Sequence, residues 1–191
     1  MGIMVPQVRR WTREEYYMMA EAGIFAPDER VELIEGEIIN MTPQKSPHAA
    51  AGSLVEEALR VAFGLGFHVR SQRPLGLGLD SEPEPDAAVV RGTARDYAKA
   101  HPTTAVLIVE VSDTTITFDR GPKSALYAKA GIPEYWIVNL IDMVLEVHRD
   151  PGPLPHNPSE YGYRSIRHLG PSETVTPLGA NAAIRVSDLL P

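Results

Sequence analysis

A run of five apolar residues, Ala105–Val109, constrains the fold of this chain more than any other feature. The run continues through a single carboxylate, Glu110, to Val111. Uninterrupted apolar runs of this length are typical of strands that are buried on both faces because helices cover both sides of the sheet. The run is also far too short to cross a bilayer. We therefore expect a central β-strand here, in a fold of the α/β class.

Signals on both sides of this strand predict the order of the other core elements. Glycine and proline residues separate the periodic segments. The expected elements are a helix from 46 that ends near 64 or 66, strands at 67–72, 86–90 and 105–111, a helix at 119–131, and strands at 134–139 and 143–148. A strand followed by a helix and by a strand that returns beside it implies an α/β core with a mixed sheet rather than a sandwich.

The two core helices carry recognisable ends. Ser46 is expected to be a hydroxyl N-cap with a proline in the first turn after it. Asp119 is expected to cap the second helix, which places Lys123 in the first turn, and Gly131 is expected to close it. Helical spacing marks the expected buried face of the first helix, which consists of Ala50, Leu54, Ala58 and Val61.

Shorter elements flank the core. Residues 11–22 predict a capped helix whose aromatic and methionine side chains, at 16–19, are expected in the core. The dipeptide Glu35-Gly36 between two short apolar runs predicts an N-terminal hairpin. Residues 151–191 are rich in proline and glycine and predict one strand, at 161–168. Because no repeat or long linker appears, we expect one domain over residues 1–191, with its core at about 30–150.

The composition excludes several classes of protein. The chain has 191 residues, a net charge of −7 and no cysteine. The lack of cysteine excludes a disulfide scaffold, a thiolate zinc site and a cysteine nucleophile. The acidic balance argues against a general nucleic-acid coat protein, although it leaves room for a local basic cleft. Since no secretory or membrane-spanning segment is recognisable, we expect a cytoplasmic protein without a membrane partner.

Two carboxylates stand out because of where they fall. Glu110 interrupts an apolar strand, and ionised carboxylates are rare there unless they are paired or bind a metal. Taken alone, Glu110 is equally well explained by a salt bridge to an arginine or by a cap of the loop at 112–115. Asp86 follows a proline at the mouth of a neighbouring predicted strand. Two carboxylates at adjacent strand ends repel each other unless a cation lies between them, which indicates Mg²⁺ or Mn²⁺.

Lys123 is the third candidate. Lysine is scarce, at 4 positions against 14 arginines. Lys123 lies on the helix that follows the Glu110 strand, from which its ammonium can reach back over the strand ends to hold a water or offset charge on a phosphorane. The alternative is a solvated lysine on a helix face.

Several segments, in order, resemble one known family. They are residues 32–37 (ELIEGE), Pro85-Asp86, 109–112 (VEVS), Asp119 with Lys123, and 127–138 (YAKAGIPEYWIV). Over roughly residues 12–150 the chain resembles the Uma2-type restriction endonucleases, which are similar to the PD-(D/E)XK nucleases. The resemblance implies a restriction-endonuclease-like α/β core of helix, three strands, helix and strand, with a central mixed sheet and extra N- and C-terminal hairpins.

The resemblance also implies a catalytic site. Asp86 and Glu110 would be ligands of Mg²⁺ or Mn²⁺, with the main-chain carbonyl of Val111 as a further ligand. The chain departs from the superfamily pattern at Ser112, which stands two residues after Glu110, where a lysine is usual. Residues two apart on a strand share a face. Lys123 would therefore have to supply the catalytic ammonium from the following helix.

Other polar residues have less specific patterns. Glu35 and Glu37 either approach the metal or are explained by the turn. His48 either contacts the metal or the scissile phosphate or is exposed. Four arginines near the site in sequence would form a DNA-facing patch if they share one face beside Asp86, and otherwise belong to an ordinary solvated surface; they are Arg70, Arg73, Arg91 and Arg95.

Three functions follow from these residues. The first is a Mg²⁺-dependent endonuclease that hydrolyses DNA, with a homodimer favoured because duplex DNA is symmetric. The second is a non-catalytic binding or assembly module with a nuclease-like fold, which the net acidity and Ser112 favour. The third is a glycosidase that uses Asp86 and Glu110 as acid and base. It requires an aromatic-lined cleft, whereas 7% of the residues are aromatic.

Overall fold

The computed structural model describes residues 8–191 and arranges them around one mixed sheet. In chain order the elements are α1 (Arg13–Glu21), β1 (Val31–Ile34), β2 (Glu37–Asn40), α2 (Ser46–Phe63), β3 (Phe67–Arg70), β4 (Ala87–Arg91), β5 (Leu107–Ser112), α3 (Ile116–Phe118), α4 (Ser124–Lys129), β6 (Glu134–Asn139), β7 (Val144–Leu154), β8 (Asn157–Leu169), β9 (Thr174–Val175) and β10 (Ile184–Arg185). A π-helical turn, Asp119–Lys123, joins α3 to α4. Short 3₁₀ turns occupy Ala94–Tyr97 and Val186–Leu189.

Six strands form the central sheet in the order β3-β4-β5-β6-β7-β8. β5 and β6 are parallel, and every other neighbouring pair is antiparallel. The parallel pair is joined through α3 and α4, as parallel strands require a crossover. These findings confirm the predicted α/β fold, its mixed sheet and the order of helix, three strands, helix and strand.

β5 lies in the interior of this sheet, and all of its residues are buried. Val109 and Val111 belong to the core under α2 and the C-terminal segment. Ile108 belongs to the core on the opposite face, under α4. Both faces are covered, which is why an uninterrupted apolar run is stable here.

The expected buried face of α2 is wrong by one residue. Val61 is 81% exposed, whereas the side chains that pack on the sheet are Ala51, Val55, Leu59 and Ala62. The helix begins at Ser46 with Lys45 at the N-cap position, so Ser46 does not cap it. Apolar residues occupy two adjacent stripes of this helix, and spacing alone cannot tell which stripe meets the sheet. The helix ends at Phe63, with Gly64 after it, as predicted.

The helical stretch after β5 begins earlier than the sequence predicts. Thr115 precedes its first residue, Ile116, so Asp119 lies inside the stretch and does not cap it. Lys123 therefore lies in the π-helical turn and not in a first turn. The turn frees main-chain carbonyls, and the Tyr135 hydroxyl donates to the carbonyl of Asp119 at 3.1 Å. Gly131, with φ of +72°, ends the stretch as expected.

The N-terminal segments pack against one end of the sheet. Thr12 and Glu15 form a capping box at α1. The expectation that its aromatic and methionine side chains are core residues is wrong, since Tyr17 is 37% and Met18 54% exposed. β1 and β2 pair as the predicted hairpin, and Glu35 and Gly36 have positive φ angles of 46° and 78° in its turn.

The C-terminal part completes the sheet. The predicted strand at 161–168 lies within β8, which pairs with a β7 that continues through the Pro- and Gly-containing residues 151–153. β9 and β10 form a separate two-stranded hairpin. Within residues 8–191, none of the helices combines the length and apolar character needed to span a membrane.

Candidate active site

A cavity of about 200 Å³ opens where β4 begins and β5 ends. The β1–β2 hairpin with the segment after it, the first turn of α2, and the α3 region form its walls. Asp86, Glu110 and Lys123, which the sequence singled out, all line this cavity. The carboxylates that line it are Glu32, Glu84, Asp86, Glu110, Asp113 and Asp119.

Asp86 stands immediately before β4, and hydrogen bonds fix both of its carboxylate oxygens. The Val111 N–H donates to Oδ2 at 2.8 Å. This donor is available because β4 pairs with β5 only as far as Val109. Gln44 donates to Oδ1 at 3.1 Å, and His48 Nε2 lies 3.0 Å from the same oxygen. The first turn of α2 and the segment before it therefore orient Asp86 from the side opposite β5.

Glu110 is 4% exposed and projects from β5 toward α4. Its Oε1 accepts hydrogen bonds from Lys123 Nζ at 3.0 Å and from the Tyr127 hydroxyl at 2.6 Å. Its Oε2 accepts one long hydrogen bond, from the Asp86 N–H at 3.3 Å. Oε1 is thus fixed by two donors, and Oε2 lies on the side of Asp86.

Lys123 is 6% exposed and lies between two strands. Its Nζ is 3.0 Å from Glu110 Oε1 on β5 and 3.2 Å from Glu32 Oε1 on β1. The other oxygen of Glu32 accepts the Glu84 N–H at 3.2 Å. An ammonium has three hydrogens to donate. Because Lys123 is buried and paired with two carboxylates, the alternative of a solvated lysine on a helix face is excluded.

The cavity carries more negative charge than Lys123 balances. Burial raises the pKa of Glu110 above its ordinary value; the charge of Lys123 lowers it, whereas the charges of Asp86, Asp119 and Glu32 raise it. Burial alone would lower the pKa of Lys123, but the carboxylates of Glu110, Glu32 and Asp119 raise it above its ordinary value. Lys123 is therefore an ammonium at neutral pH. The remaining carboxylates are stabilised by any further cation that enters.

The residues at the base of the cavity fit a hard divalent cation. Asp86 Oδ2 and Glu110 Oε2 each accept one hydrogen bond, which leaves a lone pair on each oxygen. In a β-strand the N–H and C=O groups of one residue point toward the same edge of the strand. The Val111 N–H faces Asp86, so the Val111 carbonyl faces the same side. Three oxygen donors of these types suit Mg²⁺ or Mn²⁺. Side chains alone do not complete a site, because residues 8–191 contain no group of three His, Cys, Asp or Glu placed to hold a metal ion.

Ser112, where the superfamily pattern has a lysine, is fully buried. Its Oγ lies 3.4 Å from Thr115 Oγ1, and Thr115 donates to Asp119 Oδ2 at 2.7 Å. Asp119 is buried, and burial raises the pKa of its carboxyl. The Ser112 and Thr115 hydroxyls thus occupy the position where the superfamily pattern has a lysine. The ammonium that contacts Glu110 belongs to Lys123 instead.

His48 contacts Asp86 and is not an exposed residue. Its side chain is 13% exposed. Burial lowers the pKa of His48, but the hydrogen bond and the charge of Asp86, with Asp113 and Glu110, raise it overall. The imidazole therefore extends the hydrogen-bond network of the cavity on the α2 side.

The remaining candidates do not line the cavity. Glu35 forms an exposed ion pair with Lys129 at 2.8 Å, and Glu37 forms one with Arg10 at 2.5 Å. The four arginines do not share one face. Arg70 and Arg73 lie near the Asp86 end of β4, whereas Arg91 ends that strand and Arg95 follows it.

Among the residues that contact Asp86, Glu110 and Lys123 through their side chains, sequence reasoning missed Glu32, Gln44 and Tyr127. Glu32 carried a usable signal, because it is a carboxylate within the short apolar strand 31–34, as Glu110 is within β5. Tyr127 stood only within the helix at 119–131 and the segment 127–138 of the family resemblance, with no role of its own. Gln44 lies in an irregular segment, and no periodic pattern indicates it.

Comparisons with known proteins agree with this architecture. A family model described as "Uma2: Putative restriction endonuclease" matches residues 13–183. No curated protein matches the chain. One similar solved structure, described as "a putative nuclease belonging to DUF820" from Anabaena variabilis ATCC 29413, has a TM-score of 0.70 and 16% sequence identity. The similarity covers 93% of this chain and 96% of that chain.

At 16% identity, the solved structure establishes the fold and not the activity. The family model extends well beyond the segments that first resembled the family, as far as residue 183, immediately before β10. Because it covers most of the sequence, the chain belongs to the Uma2 family.

Proposed function

We propose that this protein is a Mg²⁺- or Mn²⁺-dependent endonuclease that hydrolyses phosphodiester bonds of DNA. The observation that carries the proposal is the convergence of Asp86, Glu110 and Lys123 at the base of one cavity. Their hydrogen bonds fix each side chain in place, and the nuclease family membership of the chain points to the same chemistry.

Asp86, Glu110 and the Val111 carbonyl would hold the metal ion. When bound, such an ion lowers the pKa of a water molecule and offsets negative charge on the phosphate. The chain prepares this position by hydrogen-bonding one oxygen of each carboxylate to the neighbouring strand: Asp86 Oδ2 accepts from the Val111 N–H, and Glu110 Oε2 accepts from the Asp86 N–H. Gln44 and His48 hold Asp86, while Lys123 and Tyr127 hold Glu110.

Lys123 would act as a proton-bearing donor and not as a base, because the surrounding carboxylates keep its pKa above the ordinary value. Its Nζ donates one hydrogen bond to Glu110 and forms an ion pair with Glu32, and an ammonium has further hydrogens to offer a phosphate oxygen or a water in the cavity. Such a donor stabilises the negative charge that develops on the phosphate oxygens in the transition state.

The proposed reaction adds water across one P–O bond. The water oxygen joins phosphorus, the bond between phosphorus and a sugar oxygen breaks, and that oxygen receives a proton derived from water. A glycosidase is disfavoured because Phe118 is the one Phe, Tyr or Trp among the described lining residues. The expected homodimer remains part of this proposal, since a symmetric pair of sites suits duplex DNA.

Cleavage of supercoiled plasmid DNA tests the proposal. We expect nicking and linearisation with Mg²⁺ or Mn²⁺, and none after EDTA is added. Asp86→Asn and Glu110→Gln should each abolish cleavage, whereas Glu37→Gln, which removes an exposed carboxylate outside the cavity, should not. Calorimetric titration with Mn²⁺ should show weaker binding in the first two variants alone. Undiminished cleavage by either variant overturns the mechanism, and DNA binding without cleavage favours a non-catalytic binding module.

A further inference from the structure

Arg70 and Lys123 are the two buried Arg or Lys residues within 8–191, and Arg70 differs from Lys123 because it has no acidic partner. It is 9% exposed and stands at the end of β3, the edge strand of the sheet. Within residues 8–191 no carboxylate lies within 4.0 Å of its guanidinium. Lys123, by contrast, contacts two carboxylates.

None of the contacts that Arg70 does make is with a carboxylate. Its Nη2 donates to the carbonyl of Pro74 at 3.2 Å and lies 3.4 Å from His101 Nδ1. Its Nε is buried and has no hydrogen-bond partner among the described residues. The guanidinium carbon lies 5.7 Å from the ring centre of Tyr97. These contacts orient the guanidinium but supply no negative charge.

A buried guanidinium without a counterion is unfavourable. Burial lowers the pKa of Arg70, and the positive charge of Arg73 lowers it further. Arginine nonetheless stays protonated in proteins, so the charge persists. An anion bound between the two arginines would relieve both the lost hydration and the mutual repulsion.

The segment that joins the two arginines contacts the main chain of Asp86, which lines the cavity. The N–H of Gln72, between the two arginines, is 3.1 Å from the carbonyl oxygen of Pro85 and 3.3 Å from that of Asp86. Arg70 pairs in register with Ala88. Side chains of paired residues point to the same face, and Ala88 shares its face with Asp86. Arg70 is thus on the sheet face that carries the proposed metal ligands.

The chemistry of this pair matches a phosphodiester backbone. Guanidinium groups form charge-assisted, often bidentate hydrogen bonds with phosphate. DNA carries one phosphate about every 3.4 Å of helix axis along each strand. A strand with one phosphate in the cavity therefore carries neighbouring phosphates past its rim.

We propose that Arg70 and the exposed Arg73 form a phosphate-binding subsite that holds the DNA backbone next to the cavity. The inference rests on the proposed function, because the proposed substrate identifies the anion as a DNA phosphate. Arg70 fixes the position of the phosphate, and Arg73 encloses it from the solvent side.

The same strand pair provides a matched control. Arg91 and Arg95 are exposed and carry the same charge, but Arg91 is five residues from Asp86 along β4. At about 3.3 Å per residue, that separation is roughly 16 Å. The Arg91 guanidinium carbon lies 5.6 Å from the ring centre of Phe67. This end of β4 does not line the cavity.

Binding of a fluorescently labelled DNA duplex, measured by anisotropy in EDTA over a series of salt concentrations, tests the subsite without cleavage. We expect R73Q to weaken binding about 5- to 20-fold and to lower the salt dependence by about one phosphate contact, that is by about 0.9 in the log–log slope. R70Q should have an equal or larger effect. The double variant R91Q/R95Q should stay within about twofold of the unaltered protein.

The controls separate the outcomes. Arg73 is exposed, so R73Q should retain the melting temperature even if R70Q lowers it. An unchanged salt slope in R73Q, an equal loss in R91Q/R95Q, or no duplex binding by the unaltered protein overturns the subsite. Arginine-dependent binding without metal-dependent cleavage overturns the proposed nuclease function alone. Cleavage with unchanged affinity in R73Q overturns the subsite alone.

Discussion

The Tyr127 hydroxyl donates to Glu110 Oε1 at 2.6 Å, and neither residue is more than 4% exposed. The hydrogen bond joins the helix after β5 to the carboxylate that interrupts β5. Together with Lys123 it occupies Oε1, so Oε2 is the oxygen left to face Asp86. Tyr127 is therefore a positioning residue for the proposed metal ligand, although it does not itself line the cavity.

Tyr127→Phe should weaken Mn²⁺ binding about tenfold, because partners that orient a metal ligand typically change metal affinity by that order. Calorimetric titration of the purified variant measures this directly. Tyr163→Phe is the matched control, since its buried hydroxyl donates to the carbonyl of Ile132 at 2.9 Å, away from the cavity. Equal Mn²⁺ affinity in the two variants would contradict the positioning role.

Lys123→Met should destabilise the fold by about 3–5 kcal/mol, because it leaves Glu32 and Glu110 buried without their shared cation. Urea unfolding at neutral pH measures the loss, and adding Glu110→Gln should recover part of it. Lys129→Met removes a lysine whose pair with Glu35 is exposed, and should cost at most about 0.5 kcal/mol. A loss no larger in Lys123→Met than in Lys129→Met would show that the buried network contributes little to stability.

The sequence predicted those parts of the site that a local pattern can reveal. An uninterrupted apolar run requires cover on both faces, so Ala105–Val109 identified the central strand and made Glu110 conspicuous. Pro85 and Asp86 marked the start of the next strand for an equally local reason. The choice of Lys123 over Ser112 came from the family resemblance, and the structure places its ammonium 3.0 Å from Glu110 Oε1.

The features that the sequence did not reveal depend on tertiary packing. On α2, apolar residues form two adjacent stripes, and only contact with the sheet selects the one with Val55 rather than the one with Leu54. The π-helical turn at Asp119–Lys123 has no sequence period of its own. The four arginines are close in the chain, but the length of β4 separates Arg91 from Arg70.

The stability of the protein should depend on pH through Glu146. Burial would raise the pKa of this carboxyl, but His148, whose Nε2 lies 3.7 Å away, and the hydrogen-bond donors Arg120 and Asn139 lower it to about 2. A carboxyl with a lowered pKa in the folded state contributes stability above its unfolded pKa. We expect this contribution, about 1–3 kcal/mol, to be complete above pH 5 and to decline as the pH falls toward 2.

Urea unfolding of the unaltered protein and of Glu146→Gln at several pH values measures the contribution of the Glu146 carboxylate to the free energy of unfolding. The difference in unfolding free energy between them should be constant above about pH 5 and should shrink as the pH falls from about 5 toward 3, since glutamine cannot titrate. A difference that stays constant over this range would assign the acid sensitivity of the protein to other carboxyls.

Gly36→Ala should destabilise the β1–β2 hairpin, which carries Glu32 into the cavity. Gly36 has φ of +78°, and an added Cβ would lie 2.6 Å from Arg10 Cβ and 3.1 Å from its Cα. Strain of this kind costs about 1–3 kcal/mol. Gly52→Ala is the matched control, because Gly52 lies within α2 and an added Cβ meets nothing within 4 Å. There the same change should stabilise the protein by about 0.5–1 kcal/mol.

Thermal and urea unfolding of both variants provide the comparison. Because Glu32 contacts Lys123 at 3.2 Å, a displaced hairpin should also weaken Mn²⁺ binding in Gly36→Ala but not in Gly52→Ala. Loss of stability with unchanged Mn²⁺ affinity would separate the hairpin from the metal site. Loss of both would establish that the position of Glu32, set by a two-residue turn, determines how firmly Lys123 and Glu110 are held.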